Sequence, residues 1–402
     1  MWQSPPDLLA PLRARKLAAL AEGQDLIDLS MFNPDIPPPR FMLDKLIEAA
    51  TKPHLHRYAV SRGINKLREA FAKKYEARFG VVLDSERELC VTLGSKDAIV
   101  NFLRAVSAPG EVAVCVTPLY PGIRSAAEIG GVRLCPVPLG EDELALAEAI
   151  GAAVRASKAR IILLNFPHNP SGQTVSRKFW ERVAEIAQEH GALVYNDFVY
   201  GELMHHSASA ESALSAATGR TVCVESYSLS KAYGVPGWRV AALSGAPRII
   251  GRISELKATL DFGLFLPVQL AASAALESQA ALTASVAAEY RARAFALVMA
   301  LRRLGFEVRA PEAGGCVWAR TPPSLRRVYD ESREPKESLA EFLVRRAGVV
   351  LAPGDYYAAS LSERMTESEQ EWGQFLRFAL VAPVERLREV AARLEVVCGG
   401  RV

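Results

Sequence analysis

No run in this sequence approaches the ~20 apolar residues needed to cross a bilayer. The opening MWQSPPDLLAPLRARK carries prolines and charges where a signal peptide needs an apolar stretch. No membrane partner and a cytoplasmic location are therefore expected. Charge of one sign is missing too: 48 basic against 45 acidic residues leave a net +3 over 402 residues, which provides no footprint for nucleic acid. Any anion site must be local. The six cysteines (Cys90, Cys115, Cys135, Cys223, Cys316, Cys398) contain no C-x-x-C pair, and several lie in apolar runs such as VAVCV and TVCVE. They are expected to be small buried hydrophobes in a reducing compartment. His205 and His206 are adjacent without a third ligand at metal spacing, so they read as loop residues and no metal site is expected.

What is present is a chain longer than one typical domain, half apolar and 23% charged, as in ordered soluble proteins. Between about Glu88 and Ser244 the short runs ELCVTLG, EVAVCV, VRLCPVP, ARIILLNF, ALVYND, TVCVESY and RVAALSG alternate with helical patterns such as DELALAEAIGAAVRAS and SRKFWERVAEIAQEHG. The runs are apolar almost throughout, as strands covered on both faces must be. This predicts an α/β fold: a mainly parallel, doubly wound sheet with helices on both sides. The later runs FEVRA, GCVWAR, GVVLAP and FLRFALV predict a smaller α+β domain. The expected division is an N-terminal segment 1–45 packing with the small domain, a large domain 46–285 and a small domain 286–402. The segment NPDIPPPR reads as rigid and extended.

The stretch SYSLSKAYGVPGWR leaves three readings of Lys231 open: a solvated lysine, the partner of Ser228 in an S-x-x-K serine hydrolase, or a covalent anchor. The hydrolase pattern also requires S-D-N and K-T-G segments, and neither occurs. Ligands of open α/β sheets sit beyond the carboxyl ends of strands, and there the sequence delivers Ser95 and Lys96, Tyr120, Asn169, Asp197 with Tyr200, and Ser228, Ser230 and Lys231. Each residue alone has an ordinary structural role available. Together with Arg239 they match the needs of pyridoxal 5'-phosphate (PLP): an amine for its aldehyde, a ring to stack, a carboxylate for its ring nitrogen, donors for its phenolic oxygen and a phosphate cradle.

NFPHNPSG, YNDFVY and SYSLSKAYGVPGWR resemble the signature segments of fold-type I PLP-dependent aminotransferases of class I/II, and HRYAVSRGINKLREAFAKKY, VTLGSKDAI, KATLDFGLFLPVQLAASAAL and FLRFALV follow in the family's order. The blocks near Tyr58 and LDFGLF are most similar to a bacterial subgroup with glutamate:pyruvate (alanine) and LL-diaminopimelate aminotransferases. The resemblance implies Lys231 as the Schiff-base lysine and proton shuttle, Asp197 on the pyridine nitrogen, Asn169 and Tyr200 on the phenolic oxygen, and Tyr120 on the ring face. It implies Ser95, the Lys96 amide, Ser228, Ser230 and Arg239 on the phosphate, with Arg377 and Asn169 at the substrate. Tyr58 would reach the partner's phosphate in a homodimer with shared sites. The implied activity is ping-pong transfer of an amino group between an L-amino acid and a 2-oxo acid, alanine or glutamate with pyruvate or 2-oxoglutarate. Alternatives are a PLP-dependent carbon–sulfur β-lyase, or an LL-diaminopimelate, methionine or aromatic aminotransferase. Phe32 stands where relatives usually carry glycine beside the substrate, and Tyr356–Trp372 is long and charged enough for either a lid or a solvated insertion.

Overall fold

The seven apolar runs all become strands of one sheet in the computed structural model, which describes residues 7–206, 209–278, 281–360, 369 and 371–399. In chain order the strands are β1 Ile27–Asp28, β2 Leu89–Thr92, β3 Val112–Thr117, β4 Arg133–Pro138, β5 Ile161–Leu164, β6 Leu193–Asp197, β7 Cys223–Ser228, β8 Ala241–Gly245, β9 Glu307–Val308, β10 Cys316–Arg320, β11 Val349–Val350, β12 Ala352–Pro353 and β13 Phe375–Ala379. The large sheet has the order β2-β8-β7-β6-β5-β3-β4. Neighbours from β7 to β4 are parallel, and β8 runs antiparallel to β2 and β7. Every residue of β2, β5 and β7 is buried, which is why β2 and β5 read as apolar runs, while β7 buries the polar Glu225, Ser226 and Ser228. β4 lies at an edge, where Pro136 and Pro138 can be accommodated without an interior ladder bond.

Helices cover the sheet as the 3.6-residue pattern requires. Arg177–Glu189 buries Phe179, Trp180, Val183, Ala184, Ile186 and Ala187, and a large apolar side chain so placed contributes about 1.5–3 kcal/mol by leaving water. Glu143–Ser157 starts at Asp142, whose carboxylate accepts from the amides of Leu144 and Ala145.

The later runs form an antiparallel sheet of order β12-β13-β10-β9. GVVLAP divides between two sheets, because β11 pairs in parallel with β1 (Ile27↔Val349) while β12 pairs with β13. The charged, proline-containing start also holds a helix, Ala10–Ala21, with Pro11 in its first turn, where the missing N–H has no intrahelical partner to lose. Leu12 and Ala19 of that helix pack with Ala340, Val344 and Val350. From Asn33 to Pro39 the chain takes neither helix nor strand, as the prolines lead one to expect.

All six cysteines are unpaired; four are buried, and Cys135 and Cys398 are half-buried. Among the described residues no helix is long and apolar enough to cross a membrane, and no group of three His, Cys, Asp or Glu is placed to hold a metal ion. Most of the Tyr356–Trp372 segment, residues 361–368 and 370, lies outside the described residues.

Candidate active site

The carboxyl ends of the large sheet open into a cavity of about 450 Å³. Its lining includes Ser95, Lys96, Tyr120, Asn169, Asp197, Tyr200, Ser228, Ser230, Lys231, Arg239, Phe32 and Arg377, so one space gathers every residue singled out from the sequence except Tyr58. A separate surface cleft of about 630 Å³, lined by Arg62, Arg87, Arg220 and Arg248, contains none of them. Arg62 there pairs with Glu86 and donates to the Leu89 carbonyl.

One end of the cavity is built for an anion. β2 runs directly into the helix Ser95–Val106, whose first amides are free and whose dipole is positive at that end. The residue before it, Gly94, has φ +86°, and a Cβ there would fall 2.1 Å from a terminal nitrogen of Arg239. Only glycine lets the guanidinium lie over the helix start. Ser228, at the end of β7, accepts from the Ser230 amide at 3.2 Å, which turns the chain and presents both hydroxyls.

The centre holds two groups of opposite charge, one buried and one half-buried, that do not form an ion pair. Asp197 ends β6, and its Oδ1 is buried without a hydrogen-bond partner. Burial raises its pKa to about 7, against which Lys231 acts as a weaker, lowering influence. Lys231 donates its Nζ proton to the Phe32 carbonyl at 2.5 Å, not to Ser228, which removes the S-x-x-K reading. Burial first, then the Arg377 charge, lowers its pKa to about 8. An orphaned carboxylate oxygen of this kind fits a cationic ring nitrogen.

The unliganded protein should show this in its stability. Asp197 has a folded pKa above its unfolded value of 3.8, so its penalty is absent below pH ~4 and grows as pH rises through about 7, reaching a few kcal/mol in order of magnitude. Asp197→Asn should therefore raise the melting temperature of cofactor-free protein more at pH 8 than at pH 5. Equal gains at both pH values would contradict the assignment.

Around this centre, Asn169 Nδ2 lies 3.4 Å from the Tyr200 hydroxyl. Asn165, not picked out from the sequence, holds both neighbouring segments: its Nδ2 donates to the Asp197 carbonyl (2.6 Å) and its Oδ1 accepts from the Asn169 amide (3.0 Å). A second asparagine just after an apolar strand was the available signal. Met31, Asn33, Val199 and Pro236 also line the space without having been anticipated.

The far end is cationic and belongs to the small sheet. Arg377 sits mid-strand in β13, opposite Trp318 of β10 and Ala352 of β12. It is 5% exposed, donates one terminal nitrogen to the Ser30 carbonyl at 2.6 Å, and leaves Nε buried and unpartnered. A carboxylate offers the planar fork that such a guanidinium lacks. His205 is more than a loop residue: its two ring nitrogens lie 2.9 Å from the Pro311 and Gly314 carbonyls, tying the two parts of the chain together. Tyr58 is 82% exposed, packed on Phe262 with centroids 4.5 Å apart, and outside the cavity.

A cavity with a helix start and a guanidinium at one end, a half-buried lysine and an orphaned carboxylate at its centre and a half-unpaired arginine at the other suits amino-group chemistry. The chain belongs to aminotransferase class I and II, whose family model matches residues 24–394. It is 35% identical to an LL-diaminopimelate aminotransferase of Desulforudis audaxviator over 99% of this chain and 96% of that one, and 32% identical to the glutamate-pyruvate aminotransferase AlaC of Escherichia coli over 96% and 90%. Among solved structures it is similar to substrate-bound BacF from Bacillus subtilis, with TM-score 0.85 and 28% identity over 98% of this chain and 95% of that one. The protein is thus an aminotransferase with the α/β fold of that class.

Proposed function

We propose that this cavity binds pyridoxal 5'-phosphate and exchanges amino groups between alanine or glutamate and pyruvate or 2-oxoglutarate. The observation that carries this reading is the pair Asp197, buried, and Lys231, half-buried, which line one cavity without forming an ion pair with each other. A pyridine ring between them would satisfy both. When bound, the cofactor supplies a carbonyl carbon that takes amino groups and a ring that draws electrons from the substrate's Cα.

This chain's own residues then do the rest. Asp197 holds a proton on the ring nitrogen, and that cation in turn lowers the carboxyl pKa from the value it has alone. Tyr200 and Asn169 donate to the phenolic oxygen, while Tyr120 covers one ring face. Ser95, the Lys96 amide, Ser228, Ser230 and Arg239 hold the phosphate. Arg377 orients the substrate through its α-carboxylate. Lys231, with its pKa drawn toward neutrality, would take the proton from the substrate's Cα and deliver it on the far side of the amino nitrogen. Gly94→Ala should push Arg239 off the helix start and weaken cofactor affinity at least tenfold in a fluorescence titration. Unchanged affinity would remove Arg239 from the cradle.

The reading includes a homodimer. Tyr58, Val60, Leu260, Phe262 and Phe265 are all 44–82% exposed, large and apolar, a combination that supports burial against a second copy, with Tyr58 reaching the partner's phosphate site. It also includes the division into large and small domains near residue 285 and a cytoplasmic location. The test is an absorption spectrum of the purified protein with single L-amino acids and no 2-oxo acid, followed by borohydride fixation and peptide mapping. Loss of the cofactor's visible band with alanine or glutamate, and a fixed adduct at Lys231, are expected. An adduct elsewhere overturns the lysine assignment, and pyruvate with ammonia accumulating catalytically would mean a lyase.

A further inference from the structure

The Phe32 ring occupies a hollow that exists because residue 315 is glycine. A Cβ at Gly315 would lie 2.0–2.3 Å from three atoms of the ring, far inside contact distance. The backbone around it is tied down. The Gly314 amide donates to the Leu203 carbonyl at 2.8 Å, the Gly314 carbonyl faces His205 Nε2 at 2.9 Å, and the Gly315 carbonyl accepts from the Leu380 amide at 2.8 Å. Tyr290 meets the ring edge-on at 5.1 Å between centroids and Tyr200 stands 6.0 Å away. Phe32 is 3% exposed.

Its open side faces the chemistry. Lys231 Nζ lies 4.8 Å from the ring centroid. In the reaction proposed above, a substrate amino group takes the place of that nitrogen while Arg377 takes the carboxylate. With those two groups fixed, the first side-chain carbon is only two bonds from the amine. From there it can reach the ~4 Å contact range of the Phe32 ring. A second carbon attached there has no room on the ring side.

We propose that Phe32, interlocked with Gly315, sets the substrate class of this enzyme: its ring walls the space beside the first side-chain carbon and admits amino acids unbranched there, such as alanine, 2-aminobutyrate and glutamate, over β-branched ones. This rests on the aminotransferase reading and on the roles given to Lys231 and Arg377. The wall acts by shape, so discrimination of one or two powers of ten is the scale expected of a missing or extra methyl group.

The experiment measures kcat/KM for alanine, 2-aminobutyrate, valine and isoleucine with the wild-type holoenzyme and with F32A and F32L, together with melting temperatures of cofactor-free wild type, F32A, G315A and F32A/G315A. Wild type should favour alanine and 2-aminobutyrate, and F32A should raise the valine-to-alanine ratio at least fivefold, with F32L shifting it the same way. G315A alone should melt at lower temperature, and F32A/G315A should lose less than the two single losses combined, because the new Cβ enters space the ring has left. A ratio shift below fivefold in both Phe32 variants, or additive melting losses, overturns the proposal. Wild type that takes no amino group from any of the four, or from glutamate, would instead sink the functional reading itself, a distinct result.

Discussion

Lys231→Ala is expected to give a folded protein whose amino-transfer rate is down by at least about a thousandfold, since a positioned base alone contributes ~10²–10⁴ and this side chain is also the covalent anchor in the proposed scheme. The fold should survive. Desolvation draws the lysine's pKa down from the ordinary 10.5 to about 8, so holding the ammonium in the cavity below pH 8 is a cost that alanine removes. Its one hydrogen bond, to the Phe32 carbonyl, is lost in exchange. Circular dichroism should match wild type while steady-state turnover vanishes. Added methylamine could return part of the rate by entering the vacated space. Turnover within tenfold of wild type would remove the scheme at its centre.

Asp197→Ala is expected to have the next largest effect, lowering kcat by about 10²-fold or more and weakening the cofactor. Its carboxylate is the acidic side chain lining the cavity, and the sheet buries it so that water cannot substitute for the missing charge. Ion-paired hydrogen bonds in such surroundings are roughly twice as strong as neutral ones. Asp197→Asn keeps the shape and removes the charge, so it should fail as well. Both variants bound and active to within threefold of wild type would show that the ring nitrogen needs no carboxylate here.

The inner strands of the large sheet were readable because they are buried on both faces and so are mainly apolar, while the edge strand β4 is exposed at both ends. The residues that close the cavity at their ends were readable because each brings a chemistry that a covered strand has no reason to carry: Lys231, Asp197 and Arg239 are charged groups beside buried ones. Asn165, Met31, Val199 and Pro236 contribute position rather than reactivity, and position is set by partners distant in the chain. The same holds for β1 and β11, each two residues long and without a periodicity to detect. Phe32 could be seen as a departure, but the direction of its ring depends on Gly315, which only the folded chain brings beside it.

The pairing of β1 with β11 also sets an order of assembly. Ile27 must wait for Val349, and a ribosome adding ~5–20 residues per second needs tens of seconds to supply it. The residues of the central sheet are complete well before then, whereas Leu29 and Phe32, both buried in the finished protein, spend that interval without their final neighbours. Closing of the active site therefore waits for the last part of the sheet-forming sequence, since β11 and the Arg377 strand β13 both follow the residues of the central sheet.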